Sequence, residues 1–438
     1  MGFFTTAARI WLTRSFQPFT FRKEYDNQLE FQDCSNLGLY VHIPFCRSLC
    51  TFCLYCREVY SKETCNRYID NLIQEIHLVG RRLKTENGAE KGNEAEKENG
   101  AAGFSGKKQV TSLYFGGGTP ALAAERLGEI IGAVREYFII TEGIGLELHP
   151  ENVTEETLLL LKEAGVTKIS IGIQSFQKKF LSLLERRGGK PSDLAEALRR
   201  VPFETVSMDF IFALPGQTID DLTADIELAF SNGANHIAIY PFIDFTFTDS
   251  KVAAMGKKEK RRLLDEVTRY CREKGYARDS IWTFSKDGCA KYSSMTRENF
   301  LGFGCSAATL LMDQFKVNTF STEEYEKRIR QKKLPTSLTT RFTRRQRMIY
   351  YLFWAAYSTR VNPKEFEGFF GVPLKRMYGP ELWLAERLGF AKQVDGVYEM
   401  TGKGAFYYHY YENYYTLSYI DQMWGTMRKE AFPEGMKF

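Results

Sequence analysis

Four of the nine cysteines, Cys46, Cys50, Cys53 and Cys56, crowd into one short stretch of chain. Cys46-Arg-Ser-Leu-Cys50-Thr-Phe-Cys53 has the spacing C-x3-C-x2-C. Three thiolates hold three irons of a [4Fe-4S] cube, whereas electron-transfer clusters of that type use four cysteines. The fourth iron then keeps an open coordination position, by the logic that separates catalytic from structural zinc. Zinc is the alternative for any cysteine cluster, and adding Cys56 makes a four-thiolate site conceivable by counting. Structural zinc sites, however, pair two short knuckles across a longer separation, and here everything sits in one loop. Cys34, Cys65, Cys271, Cys289 and Cys305 are scattered and read as small apolar packing residues. This spacing suits no disulfide framework, so a reducing compartment, the cytoplasm, is expected.

A cluster loop needs a rigid frame, and the flanking pattern supplies one. Short β-branched or aromatic runs at Leu37–Ile43, Val110–Phe115, Leu146–Leu148, Lys168–Ile173, Val206–Phe212 and His236–Pro241 alternate with helical patterns. The helices are expected at Lys62–Leu83, Ala121–Tyr137, Thr154–Ala164, Pro191–Arg200 and Thr218–Ser231. Six βα units of a parallel sheet give an α/β fold, an incomplete (β/α)6 barrel over 37–250. The cysteine loop follows the first strand, and parallel barrels carry their chemistry at the C-terminal ends of strands.

The remainder divides around that core. Residues 1–36 form an N-terminal extension, read as a packed or frayed helix because they lack a continuous apolar h-region and cleavage site. Residues 84–108, rich in Glu, Lys, Gly and Asn, bury too little to offset ordering entropy and read as a flexible, solvated insertion. Residues 251–338 complete the barrel and cover the substrate. Three helices, Thr343–Tyr357, Asn362–Phe370 and Leu374–Leu388, precede a run at Phe390–Met400 with a turn signal at Asp395–Gly396, giving 339–438 a helical, winged-helix-like domain. Leu374–Leu388 carries only Lys375, Arg376 and Arg387 as cations beside Glu381 and Glu386, so a protein-packing lid is preferred to DNA readout. Lys plus Arg total 59 against 54 for Asp plus Glu, which argues for neither nucleic acid nor an anionic membrane. No apolar run approaches the twenty or so residues of a membrane span.

The cysteine spacing followed by Gly116-Gly117-Gly118-Thr119-Pro120 resembles the radical S-adenosylmethionine superfamily. More narrowly, Leu39–Cys46, Ile171–Phe176, Asp209–Gly216 and Leu301–Ala307 resemble the oxygen-independent coproporphyrinogen III oxidase family. That resemblance implies an oxidoreductase that reductively cleaves S-adenosyl-L-methionine (SAM) at a [4Fe-4S] cluster on Cys46, Cys50 and Cys53. It carries cofactor contacts to Tyr40, Gly117, Gly118, Thr119, Glu147, Gln174, Arg186 and Asp209. Glycines let backbone approach the methionyl group, Glu147 pairs an ammonium, and Arg186 suits a carboxylate. Without the resemblance, Glu147 reads as a strand-end salt bridge. Tyr40 and His42, on one face of the first strand, are the catalytic candidates. A satisfied core histidine is the alternative for His42.

The family pattern ends C-x-C, whereas here Cys56 stands three positions beyond Cys53. Relatives on the same core include haem chaperones and methyltransferases, among them haem-degrading ones, and several bind a second SAM. Ala308 falls where the family approaches that second molecule, although small residues there serve packing equally well. The expected partners are a tetrapyrrole-like substrate in porphyrin or haem metabolism and a flavodoxin or ferredoxin as electron donor.

Overall fold

The computed structural model describes residues 3–23, 29–31, 33–89, 106–286, 288–289 and 298–438. Six strands, β1 (Leu37–Ile43), β2 (Leu113–Gly117), β3 (Ile144–Leu148), β4 (Lys168–Gln174), β5 (Thr205–Phe212) and β6 (His236–Pro241), lie side by side in chain order. Every adjacent pair is parallel. Helices cover the outer face, so the strands are buried on both sides and read as nearly continuous apolar runs. Leu39, Val41, Leu146, Ile169, Ile171 and Met208 are at most 1% exposed.

The covering helices are α1 (Lys62–Ala89), α2 (Leu127–Arg135), α3 (Glu155–Ala164), α4 (Pro191–Arg200) and α5 (Ile219–Ser231). Local chemistry sets their ends. At α3 the Thr154 hydroxyl accepts from the Thr157 amide, and Gly165, at φ 95°, closes the other end. A reciprocal Thr218–Asp221 capping box starts α5.

Three elements differ from expectation. Helix α1 runs six residues past Leu83, because Lys and Glu side chains favour propagation once a helix is nucleated. The rest of the expected insertion, 90–105, lies outside the described residues. The run at Val110–Phe115 splits: Lys108–Val110 pairs with Phe138–Ile140 in a separate two-stranded sheet, and β2 starts only at Leu113. The helix expected at Ala121–Tyr137 opens as a 3-10 turn, Pro120–Arg126, after the glycine run.

The six-stranded core does not close on itself. β6 pairs antiparallel with β7 (Thr283–Ser285), while β1 pairs parallel with β8 (Asn299–Phe303). The sheet continues antiparallel through β9 (Ala308–Leu311), β10 (Gln314–Asn318) and β11 (Thr336–Arg341). Beyond it, Thr20–Lys23 and then Gly435–Lys437 complete the edge. The βα rhythm fades here because meander strands replace crossovers, a change that short, partly polar strands do not announce.

Helices α6 (Lys257–Glu273) and α7 (Thr322–Arg330) lead to the C-terminal part. There α8 (Arg344–Tyr357), α9 (Pro363–Phe370) and α10 (Leu374–Arg387) pack with a small sheet of β12 (Arg360–Val361), β13 (Ala391–Val394) and β14 (Val397–Met400). Met348, Tyr351, Phe366, Leu374, Tyr378 and Tyr398 form its own apolar cluster. The chain then returns to the main core through α11 (Gly402–Tyr415), a π-helical turn at Thr416–Ile420 and α12 (Asp421–Lys429), whose Met423 and Met427 pack there. Among the described residues, no helix is long and apolar enough to cross a membrane.

The central strands carry the stability of this frame. Leu146 on β3 is fully buried. Leu146→Ala is expected to cost about 2–5 kcal/mol, from lost burial plus the residual cavity, read as a lowered denaturant midpoint.

Candidate functional site

The strands' C-terminal ends open into a cavity of about 580 Å3. Alternation places every second residue on it. Ser170, Gly172 and Gln174 from β4 face the cavity, as do Ser207, Asp209 and Ile211 from β5. A register shift between β4 and β5 at Asp209/Phe210 turns the end of β4, and Gln174 takes φ 68° there.

Cys46, Cys50 and Cys53 line the same cavity, carry free thiols and are partly exposed. Their loop is held from beneath. Arg57 donates to the Cys50 carbonyl at 2.5 Å and the Cys53 carbonyl at 3.0 Å, and the Cys53 amide donates to Cys50 at 3.2 Å. The Thr119 hydroxyl lies 3.6 Å from Cys46 Sγ. Arg186 reaches across, donating to Cys50 Sγ at 3.2 Å and to the Gly172 carbonyl at 2.6 Å.

These residues fit an anionic iron-sulfur cluster. Burial pushes the Cys46 thiol up to about 11 and raises Cys53 as well, so the thiolates need a counter-charge. Two guanidinium groups stand beside them, and the buried Nε atoms of Arg57 and Arg186 have no hydrogen-bond partner. Cys56 turns away: only 7% exposed, its thiol donates to the Phe320 carbonyl at 3.1 Å. It does not line the cavity, so a four-thiolate site gains no support from this loop.

Next to the cysteines stand two carboxyls. Glu147 accepts from the Tyr114 hydroxyl and from the Gly117 amide, each at 3.2 Å. Asp209 accepts from Ser170 at 2.7 Å and Ser207 at 3.0 Å. Burial, helped by the Asp209 carboxylate nearby, pushes Glu147 up to about 7, and burial pushes Asp209 up to about 6. Among the described residues, neither carboxyl forms a salt bridge with a cation. The strand-end salt bridge is therefore not what occupies Glu147. Two neighbouring buried carboxyls of this kind could accept a cationic group, which would favour their ionised forms.

The glycine run sets how closely β2 approaches this region. A Cβ on Gly117, at φ 121°, would lie 2.7 Å from the His42 ring, and one on Gly118 would lie 2.7 Å from the Phe45 carbonyl oxygen. Only glycine serves at these positions.

Tyr40 and His42 are placed elsewhere than expected. Neither lines the cavity. His42 is 2% exposed, and its Nε2 lies 2.9 Å from the Cys56 carbonyl oxygen. A carbonyl only accepts, so Nε2 carries hydrogen, and Nδ1, 3.0 Å from Tyr40 Oη, accepts from that hydroxyl. The pair braces the back of the glycine run, as a satisfied core histidine does. Ala308 begins β9 with its carbonyl packed against Gly302, also outside the cavity.

The rest of the lining comes from residues that the motifs do not mark. Phe242, Trp282, Tyr357, Glu412, Thr416 and Ile420 also line the cavity. They lie in segments without recognisable spacing. Only the tail's aromatic density hinted at burial.

Residues 40–229 match the radical SAM superfamily. The chain is 25% identical to the heme chaperone HemW of Bacillus subtilis over 357 residues, spanning 77% of this chain and 88% of the relative. It is 23% identical to the oxygen-independent coproporphyrinogen III oxidase of Pseudomonas aeruginosa over 320 residues, spanning 66% of this chain and 65% of that one. The solved structure of coproporphyrinogen III oxidase (HemN) from Escherichia coli superposes with a TM-score of 0.70 at 19% identity, covering 95% of this chain and 98% of that one.

Two outcomes follow from the geometry. Gly117→Ala is expected to destabilise the protein by about 1–3 kcal/mol, through the strained backbone and the displaced His42 ring, measured by denaturation. For Glu147, a carboxyl raised in the folded state binds its proton more tightly there than in the unfolded chain. Its contribution is full below the ordinary 4.5 and is lost as pH rises toward about 7. Urea midpoints of the ligand-free protein should fall across that window, and Glu147→Gln should flatten the fall.

Proposed function

We propose, for this member of the radical SAM superfamily, that Cys46, Cys50 and Cys53 hold the cluster, and that the chain uses SAM to oxidise a tetrapyrrole-like substrate enclosed in the cavity. The reaction is oxidative decarboxylation of the kind named for the oxygen-independent coproporphyrinogen III oxidases. The observation that carries this reading is continuity. One cavity joins the three free cysteines, the two buried carboxyls and several aromatic side chains.

When bound, the cluster supplies the electron that breaks the S–C5′ bond of SAM. The chain's own residues bind, orient and exclude water. Arg186 and Arg57 balance the negative charge at the cysteine loop. Glu147 and Asp209, ionised by an incoming ammonium, anchor the amino group of SAM. Gly117 and Gly118, without side chains, let the end of β2 lie close to the cysteine loop, and the Thr119 hydroxyl stands beside Cys46. Gln174, aimed inward by its positive φ, supplies an amide beside Arg186. Tyr40 and His42 act as positioning residues, fixing the strand end from behind. Residues from α8, α11 and the π turn complete the cavity lining.

Similarity to a heme chaperone favours a second reading, in which the same frame delivers haem. One anaerobic assay separates the two. Reconstituted protein, SAM, dithionite and coproporphyrinogen III are expected to give 5′-deoxyadenosine with loss of carbon dioxide from the substrate. Cys46→Ala, Cys50→Ala and Cys53→Ala should each lower product more than 100-fold and bleach the visible absorbance, while Cys56→Ala keeps the chromophore. Stoichiometric haem retention without deoxyadenosine would establish the chaperone instead.

A further inference from the structure

The cavity wall holds a group that nothing above uses. Glu412 sits near the end of α11, one turn before the helix loosens into the π-helical turn Thr416–Ile420. Single π turns gather at functional sites because they push one residue out of the helical register. The Thr416 hydroxyl lies 3.5 Å from Glu412 Oε1, while Oε2 is buried and has no hydrogen-bond partner. Burial pushes this carboxyl up to about 8. An orphaned carboxyl oxygen inside a protein forfeits its hydration without return. The residue lines the cavity, so a ligand that reached Oε2 would restore the lost bond.

The surroundings restrict that ligand. The arginines on the cavity wall are Arg47, Arg57 and Arg186, and two of the three are committed at the cysteine loop. Glu412 lines the cavity together with Tyr357, Ile420, Phe245 and Trp282. Beside a ligand carboxylate its carboxyl would stay protonated, whereas an N–H or ammonium donor would let it ionise and accept. A flat apolar body carrying an N–H group would stack on the rings and donate to Oε2.

We infer that Glu412 is the substrate anchor of this wall, and that the substrate presents an N–H donor there, either a protonated amine or a ring N–H, rather than a carboxylate. This rests on the reading that the cavity encloses a substrate, and it adds the substrate end that the lid reads. Any carboxylates of that substrate then face the mouth, toward Arg47.

The test uses the full chain, reconstituted and loaded with SAM under anaerobic conditions, and reads binding rather than turnover. Coproporphyrinogen III supplies ring N–H groups and is titrated by calorimetry. Benzylammonium and benzoate, an aromatic cation and an aromatic anion of similar size, are compared by ligand-observed NMR. Wild-type protein is expected to bind coproporphyrinogen III or benzylammonium, and to prefer benzylammonium to benzoate. Glu412→Ala should weaken the bound N–H probe at least tenfold. Glu412→Gln keeps an acceptor oxygen but no charge. It should retain coproporphyrinogen III to within about threefold if the donor is a ring N–H, and lose benzylammonium if the donor is an amine. Circular dichroism and retained SAM binding show that each variant is folded. Benzoate favoured over benzylammonium, neither N–H probe bound by wild type, or unchanged affinities in Glu412→Ala would overturn the assignment. The broader enzymatic reading fails separately, when wild-type protein forms no deoxyadenosine.

Discussion

The site depends on how closely β2 is allowed to approach β1. A glycine backbone lies against the His42 ring and the Phe45 carbonyl at distances no side chain would permit, and the cysteine loop leaves β1 at this same point. The contact brings the Gly117 amide within reach of Glu147 and the Thr119 hydroxyl beside Cys46. One steric condition thereby sets the spacing between the cysteine loop, the carboxyls and the glycine backbone that flanks them. Tyr40 and His42 belong to this condition, since their hydrogen-bonded side chains support the strand end beside the glycine run.

Charge is distributed to match. Arginines gather where the thiols are, and among the described residues Glu147 and Asp209 stand without a salt-bridging cation. Such a cavity is poorly satisfied when empty, because buried carboxyls take up protons instead of ionising. Binding a cation restores ionisation and repays part of the burial cost. A protein that must order a cofactor and a substrate in one enclosed volume gains from walls whose polar groups are completed only by the ligands.

Much of this was legible in the residues, and the missing parts share a cause. The cysteine spacing, the glycine run and the alternation of βα units each arise from local rules, and they foretold the incomplete barrel and the loop at its mouth. Alternation along β4 and β5 likewise brings Gln174 and Asp209 inward. The exceptions are tertiary. His42 has the right chemistry for catalysis, but its ring nitrogens are engaged by Tyr40 and the Cys56 carbonyl. Ala308 follows a familiar stretch yet packs into the extended sheet. Glu412 lies in an aromatic-rich tail where sequence carries no periodic signal, and only the return of α11 and α12 onto the main core brings it to the cavity. The extra strands β8–β11 escaped notice because they are short and partly polar, and their link to the barrel, β8 on β1, spans the chain.

The separateness of the small apolar cluster around Phe366 and Tyr398 has a consequence for how the cavity is reached. Helix α8 and the wing bridge that cluster and the main core: Met348, Tyr351 and Tyr398 belong to the small cluster, while Tyr357 belongs to the core and Met400 packs against it. Local opening of α9 and α10 should cost less than unfolding the barrel, so their amides should exchange faster than those of β3 and β4. Because Tyr357 also walls the cavity, α8 is the element through which such opening would reach it.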